Sequence, residues 1–193
     1  MTRLQKVVLL TVLAKKLIEQ GSWCGETHLQ KAIYFLQELL HVPTEFDFIL
    51  YKHGPFSFDL RDELTAMRAD GLLELQLRHP DYRPSLVPTE RCQKLQQLFS
   101  KTLEQYETKL EFVAEKLGGK GVTELEQLAT ALYAIRMQPE TDTMEKARYI
   151  HQLKPHVSVE EGTSAIENVE TIISEAAKHF DIPVTPCCTT PPF

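Results

Sequence analysis

Apolar positions recur with a helical period along most of the chain. In "TRLQKVVLLTVLAKKLIEQG" they cover a broad face, and Gly21 stops the segment as a residue suited to the position after a helix. "THLQKAIYFLQELLHVP" opens with Thr27 and Gln30 at capping-box spacing, carries the stripe Leu29, Ile33, Leu36, Leu40, and closes at Pro43. The period then shortens. "FDFILY" at 46–51 is rich in β-formers and predicts a short strand. Pro55 locks its own φ and biases Gly54 toward an extended conformation, so "YKHGP" reads as a strand-to-helix turn. Ser57 is placed to cap the next helix, Asp59 sits in its first turn, and Gly71 stops it.

Beyond Gly71, "LLELQLR" and "SLVP" flank the tip "HPDYRP", a β-hairpin pattern. A long helix is then expected from Pro88 and Thr89 to Leu117. Its apolar positions Phe99, Leu103, Tyr106, Leu110, Val113 and Leu117 form the narrow seam typical of helix pairing. Two further capping boxes begin at Thr123 ("TELE") and Ser158 ("SVEE"), with a shorter helix near Met144–Leu153 between them. The last helix carries Ile166, Val169, Ile173, Ala176 and Phe180 on one stripe. "DIPVTPCCTTPPF" follows with four prolines and no period.

The pattern predicts a mainly α protein with a small β component. Residues 1–88 give a winged-helix-like half, 89–180 a helical half, and 181–193 a flexible tail. Helix 57–70 would take the recognition position and residues 72–88 the wing.

Composition changes this picture little. Apolar residues make up 42% and charged ones 25% of 193, ordinary values for a globular protein. The longest apolar run, Val7–Ala14, is too short to span a bilayer, and Lys15 and Lys16 interrupt it without a cleavage site, so a cytoplasmic location is expected. Net charge is −6, with neither half basic, which argues against broad affinity for nucleic acid phosphate.

Candidate chemistry is sparse. Cys24, Cys92, Cys187 and Cys188 contain no C-x-x-C pair and read as free thiols. The seven histidines show no metal-ligand spacing, so neither a metal nor another cofactor is expected. "GGKGVT" at Gly118 lacks the first glycine and the Ser/Thr directly after Lys that a phosphate loop needs; it reads as a helix cap and connector. No nucleophile motif is present and adjacent carboxylates such as Asp62 and Glu63 diverge on a helix, so no enzyme is expected.

Binding surfaces are the remaining class. Residues 57–70 carry Arg61 and Arg68 against Asp59, Asp62, Glu63 and Asp70, a balance that opposes entry into a DNA groove. The turn "YKHGPF" has two readings. Phe56 is either an exposed apolar anchor rimmed by Lys52 and His53, or it packs inward and leaves Gly54 and Pro55 to serve folding alone. Separately, the seam of helix 89–117 predicts a homodimer through Leu103, Tyr106, Leu110 and Val113, or pairing with helix 158–180 within the chain.

"LQKAIYFLQELL" followed by "FDFILYKHGPFSFDLRDELTAMRADGLL" resembles the YwgA-like group of uncharacterised bacterial proteins. More distantly it is similar to the Panacea (SocA-like) domain of antitoxins and proteolytic adaptors, which shares an "LQKLLYF" helix and an aromatic-rich strand ending in "YGP". The matching positions are Leu29, Gln30, Lys31, Tyr34 and Phe35, then Tyr51, Gly54 and Pro55; His53 stands where the pattern has its last Tyr. "LATALYAIR" and "KPHVSVEE" extend the likeness to the YwgA-like group. The resemblance implies a winged-helix module that regulates through a protein partner: a toxin, a protease or a phage- or defence-associated component. Lys31, Tyr51, Lys52, His53, Gly54, Pro55, Phe56 and Arg61 are the expected contact residues. The alternative is a dimeric winged-helix transcriptional regulator.

Overall fold

The computed structural model describes residues 1–77 and 83–180. The chain is mainly α, with two small antiparallel two-stranded sheets. Helix α1 (Arg3–Glu19) begins at a capping box the sequence reading missed: Thr2 accepts from the Gln5 amide while the Gln5 side chain reaches back to Thr2. Its run Val7–Leu10 with Leu13, Ala14 and Leu17 is buried on almost every side, so α1 is a central helix.

Helix α2 (Glu26–Glu38) is the second central element, with every residue from His28 to Leu36 buried. The expected capping box at Thr27 and Gln30 is not made. Gly25 is the N-cap, with no side-chain bond, because Gln30 is committed elsewhere. Its amide accepts from the Ser57 N–H at 2.9 Å and donates to the Ser57 carbonyl at 2.8 Å.

The strand expected at 46–51 is confined to β1 (Ile49–Tyr51), and "HGP" is not a strand-to-helix turn. The chain folds back into β2 (Gly54–Phe56), with Tyr51 opposite Gly54 and Ile49 opposite Phe56. Gly54 has φ +85° in place of the expected extended backbone, and Pro55 lies in the strand. Ser57 then caps α3 (Phe58–Ala69) through its hydroxyl and the Leu60 N–H, as expected. Strands β3 (Leu73–Gln76) and β4 (Ser85–Pro88) form the expected second hairpin. Residues 78–82 of its tip lie outside the described residues, as does 181–193 with Cys187 and Cys188.

The single long helix expected to Leu117 is two: α4 (Arg91–Leu98) and α5 (Ser100–Leu117). Phe99 leaves helical geometry at ψ 30°, and the bend lets both pieces pack on α1. The apolar spacing carries through the bend, which hid it. Helix α6 (Val122–Met137) has Gly121 as its N-cap, without a side-chain bond, two residues before the expected Thr123 box. Asp142 caps α7 (Thr143–Leu153). Ser158 and Glu161 form their capping box at the start of α8 (Val159–Phe180), whose expected stripe is buried as far as Ala176.

One connected apolar core runs from α1 to α8, and α2 touches α1, α3, β2, α5 and α6. The proposed dimer seam is used up inside it. Leu110 and Val113 are buried, and Leu103 and Tyr106 pack partly buried against the same core, so the seam is spent largely within the chain, where α5 packs on α1 and α2.

Candidate functional site

The β1–β2 hairpin is held from both sides by buried lysines. The Lys31 amine donates to the Pro55 carbonyl at 2.8 Å. From the far side, Lys154 donates to the Tyr51 carbonyl at 2.9 Å and also to that of Lys52. Burial pushes the Lys31 amine down to about 8, with Glu126 opposing and Lys154 adding to the shift. Lys154 is lowered for the same first reason. The hairpin also has no room to spare: a Cβ on Gly54 would stand 2.8 Å from Thr130 Oγ1 and 3.3 Å from the Glu126 carbonyl.

These contacts reassign three of the eight expected contact residues. Lys31, Gly54 and Pro55 are buried and hold the hairpin; none is presented to a partner. His53 is exposed, but its Nδ1 lies 3.2 Å from Glu126 Oε2. Lys52 is exposed at the tip. Phe56 is half-buried, so the apolar surface is shared rather than carried by it alone. Tyr51, Phe56 and Phe58 form a ring cluster with centroids 5.2–5.9 Å apart, and the Arg61 guanidinium lies 4.9 Å over Phe58. Tyr51 is 45% exposed and Phe58 40%, with Ile49 beside them at 46%, an apolar platform rather than scattered single residues. Phe58 was missed because its place just after a helix N-cap gives no periodicity signal.

Beside the platform opens a cleft of about 860 Å³, between α2, α3, the second hairpin and the Gly118–Val122 connector. Its walls carry the cations Lys31, Arg61, Arg68, Arg83 and Lys120 against the carboxylates Glu26 and Glu126. That excess sits in a chain of net charge −6. Lys120 is paired with Glu124 and Arg61 only with its exposed neighbour Asp62. Among the described residues Arg68 and Arg83 form no ion pair. Trp23 lines the same cleft and donates its indole N–H to the Arg83 carbonyl at 2.7 Å, tying the second hairpin to the loop before α2.

The charge on α3 is segregated in a way that its total conceals. Arg61, Leu64, Thr65 and Arg68, spaced i, i+3, i+4, i+7, face the cleft. Glu63 and Asp70, also seven apart, instead hold Arg3 of α1 at 2.8 and 3.2 Å. The seven-residue spacing of the arginines was the available signal, lost when charge was summed over residues 57–70. The remaining cations of α1 are likewise engaged, Lys6 with Glu45, Lys15 with Glu19, and Lys16 with Glu107 and Glu111.

Among the described residues no cluster of three His, Cys, Asp or Glu side chains is placed to hold a metal. The Thr130 hydroxyl beside the His53–Glu126 pair is spent on its own helix carbonyl at 2.7 Å. Among the described residues no helix is long and apolar enough to cross a membrane. No protein-family model matches the chain, and no curated protein matches it in sequence.

Proposed function

We propose that this chain is a non-enzymatic regulator or adaptor that holds a protein partner against the Tyr51–Phe56–Phe58–Arg61 platform and the adjoining cleft. The observation that carries it is the platform itself: three packed aromatic rings with an arginine over them, exposed at the mouth of a cationic cleft on an acidic molecule. Aromatic and arginine side chains dominate the energetics of protein interfaces, and a hairpin held from both sides, together with the first turn of α3, presents these with little entropy left to lose. The resemblance to YwgA-like and Panacea-type modules agrees with this use, with a toxin, a protease or a phage- or defence-associated protein as partner. Affinity capture from the native host tests it. Wild type should retain a discrete partner that a Tyr51→Ser/Phe58→Ser variant loses while keeping its melting temperature. Equal retention by both would remove the platform from the interaction.

The runner-up, a dimeric winged-helix DNA regulator, is favoured by one observation, the cationic Arg61–Arg68 face of a helix in the recognition position. It is opposed by the exposed Asp59 and Asp62 at the start of the same helix. Titration with genomic-fragment DNA near physiological salt separates the two. Sequence-selective binding below about 1 µM would promote the DNA reading.

A further inference from the structure

We infer that the 860 Å³ cleft is the seat of an extended acidic peptide segment of the partner, carrying one apolar or aromatic side chain between its carboxylates. This inference rests on the adaptor reading and names what that partner must contain.

Three features of the cleft select this occupant. The first is charge. Arg61 and Arg68 project from one face of α3 and Arg83 from the wing, so carboxylates are attracted into a volume whose own acids are two. The second is lining: Leu64, Leu75 and Leu86 line the cleft together with Phe56 and Tyr51, and Leu75 is 48% exposed. An apolar side chain flanked by acids satisfies both. The third is what lies outside. Asp59, Asp62, Asp70 and Glu74 are exposed around α3 and the wing. A nucleic acid carries a phosphate at every step and continues past the cleft in both directions, so it meets these carboxylates. An acidic segment a few residues long ends before it reaches them. The volume lies within the roughly 300–1,000 Å³ of ligand clefts, too small to admit a duplex.

Trp23, the chain's single tryptophan, lines the cleft and reports its occupancy directly. The experiment titrates wild-type protein with four tryptophan-free probes: a nine-residue Asp/Glu peptide with a central Phe, the same peptide with Lys for each acid, a nine-nucleotide single strand, and a short duplex. Binding is read by Trp23 emission and by calorimetry. The acidic peptide should bind, the basic one should not, and Arg61→Glu/Arg68→Glu should weaken the acidic peptide about tenfold or more. Lys94→Glu/Lys101→Glu, the same charge change on exposed residues of α4 and α5, should leave it within about twofold. Tighter binding of either oligonucleotide, no binding of the acidic peptide, or equal loss in both double variants would overturn the inference. Failure of the broader adaptor reading looks different: the Tyr51→Ser/Phe58→Ser variant then captures the same proteins from the host as wild type. If instead an Arg68→Glu/Arg83→Glu protein, changed in the cleft and not in the platform, still captures the wild-type partner, the platform works without the cleft, and only the peptide inference falls.

Discussion

Lys31 reaches across from the central helix α2 to donate to the carbonyl of Pro55, 24 residues further along the chain. That bond places a charged amine inside the protein, and the burial has a measurable signature. The amine is held at about 8 when folded, against 10.5 when unfolded. Between those values the unfolded chain binds more protons than the folded one, so stability rises with pH across the window. Below pH 8 both states are protonated and the cost of burying the charge is borne in full.

Wild-type stability should therefore increase from pH 7.5 to 10, by an amount on the order of 3 kcal/mol at most from Lys31 alone. The upper limit is set by Tyr34, whose burial raises its own ionisation and reverses the trend above pH 10. Lys31→Met should flatten the rise. Urea unfolding at several pH values measures both slopes, and identical slopes in the two proteins would contradict the assignment.

Gly54→Ala should destabilise by at least about 2 kcal/mol, a fall of several degrees in melting temperature. Two causes combine: φ of +85°, and a Cβ 2.8 Å from Thr130 Oγ1. Adding Thr130→Ala should recover part of the loss, since it relieves the crowding and leaves the backbone conformation unfavourable. Complete recovery would show that φ costs nothing here.

Gln30→Met keeps the volume of the side chain and removes its amide. The N–H of Ser57, a fully buried residue, then loses its partner, and its carbonyl keeps only the Arg61 N–H. A loss of about 2–4 kcal/mol is expected, with hydrogen exchange quickening at the start of α3 before it does so in α1. A loss below about 0.5 kcal/mol would mean that water replaces the amide.

Leu110→Glu should unfold the protein rather than separate a dimer, because Leu110 is fully buried against α1 and α2. Circular dichroism together with light scattering distinguishes these outcomes. A folded Leu110→Glu monomer derived from a wild-type dimer would restore the seam as an interface.

Much of the fold was legible because it is local. Ser57 capping α3, the Ser158–Glu161 box and the stripe on α8 each follow from residues three or four apart. The misses share a cause. Thr27 and Gln30 have the spacing of a capping box, yet Gln30 is taken by Ser57, 27 residues away. The bend at Phe99 preserves the apolar spacing on both sides, so no period betrays it. The candidate site divides in the same way. Tyr51 and Phe56 meet across a hairpin, and Arg61 follows on α3 over Phe58, so these three lie close in the chain as well as in space. Lys31 looked like a surface cation because the carbonyl that needs it is contributed by another element. Arg83 and Trp23 join the cleft only through the packing of the second hairpin on the loop before α2.

The grip of Lys154 on the carbonyls of Tyr51 and Lys52 also fixes an order of events during synthesis. Lys154 follows Lys52 by 102 residues, so at ordinary elongation rates it leaves the ribosome about 5–20 s later. Through that interval the first hairpin has Lys31 but lacks Lys154, and until residue 137 is made it also lacks the wall that α6 supplies, while the apolar flanks of α2 wait for helices not yet made. The nascent chain is most vulnerable to capture by chaperones or proteases in that window, which closes when α7 and α8 emerge.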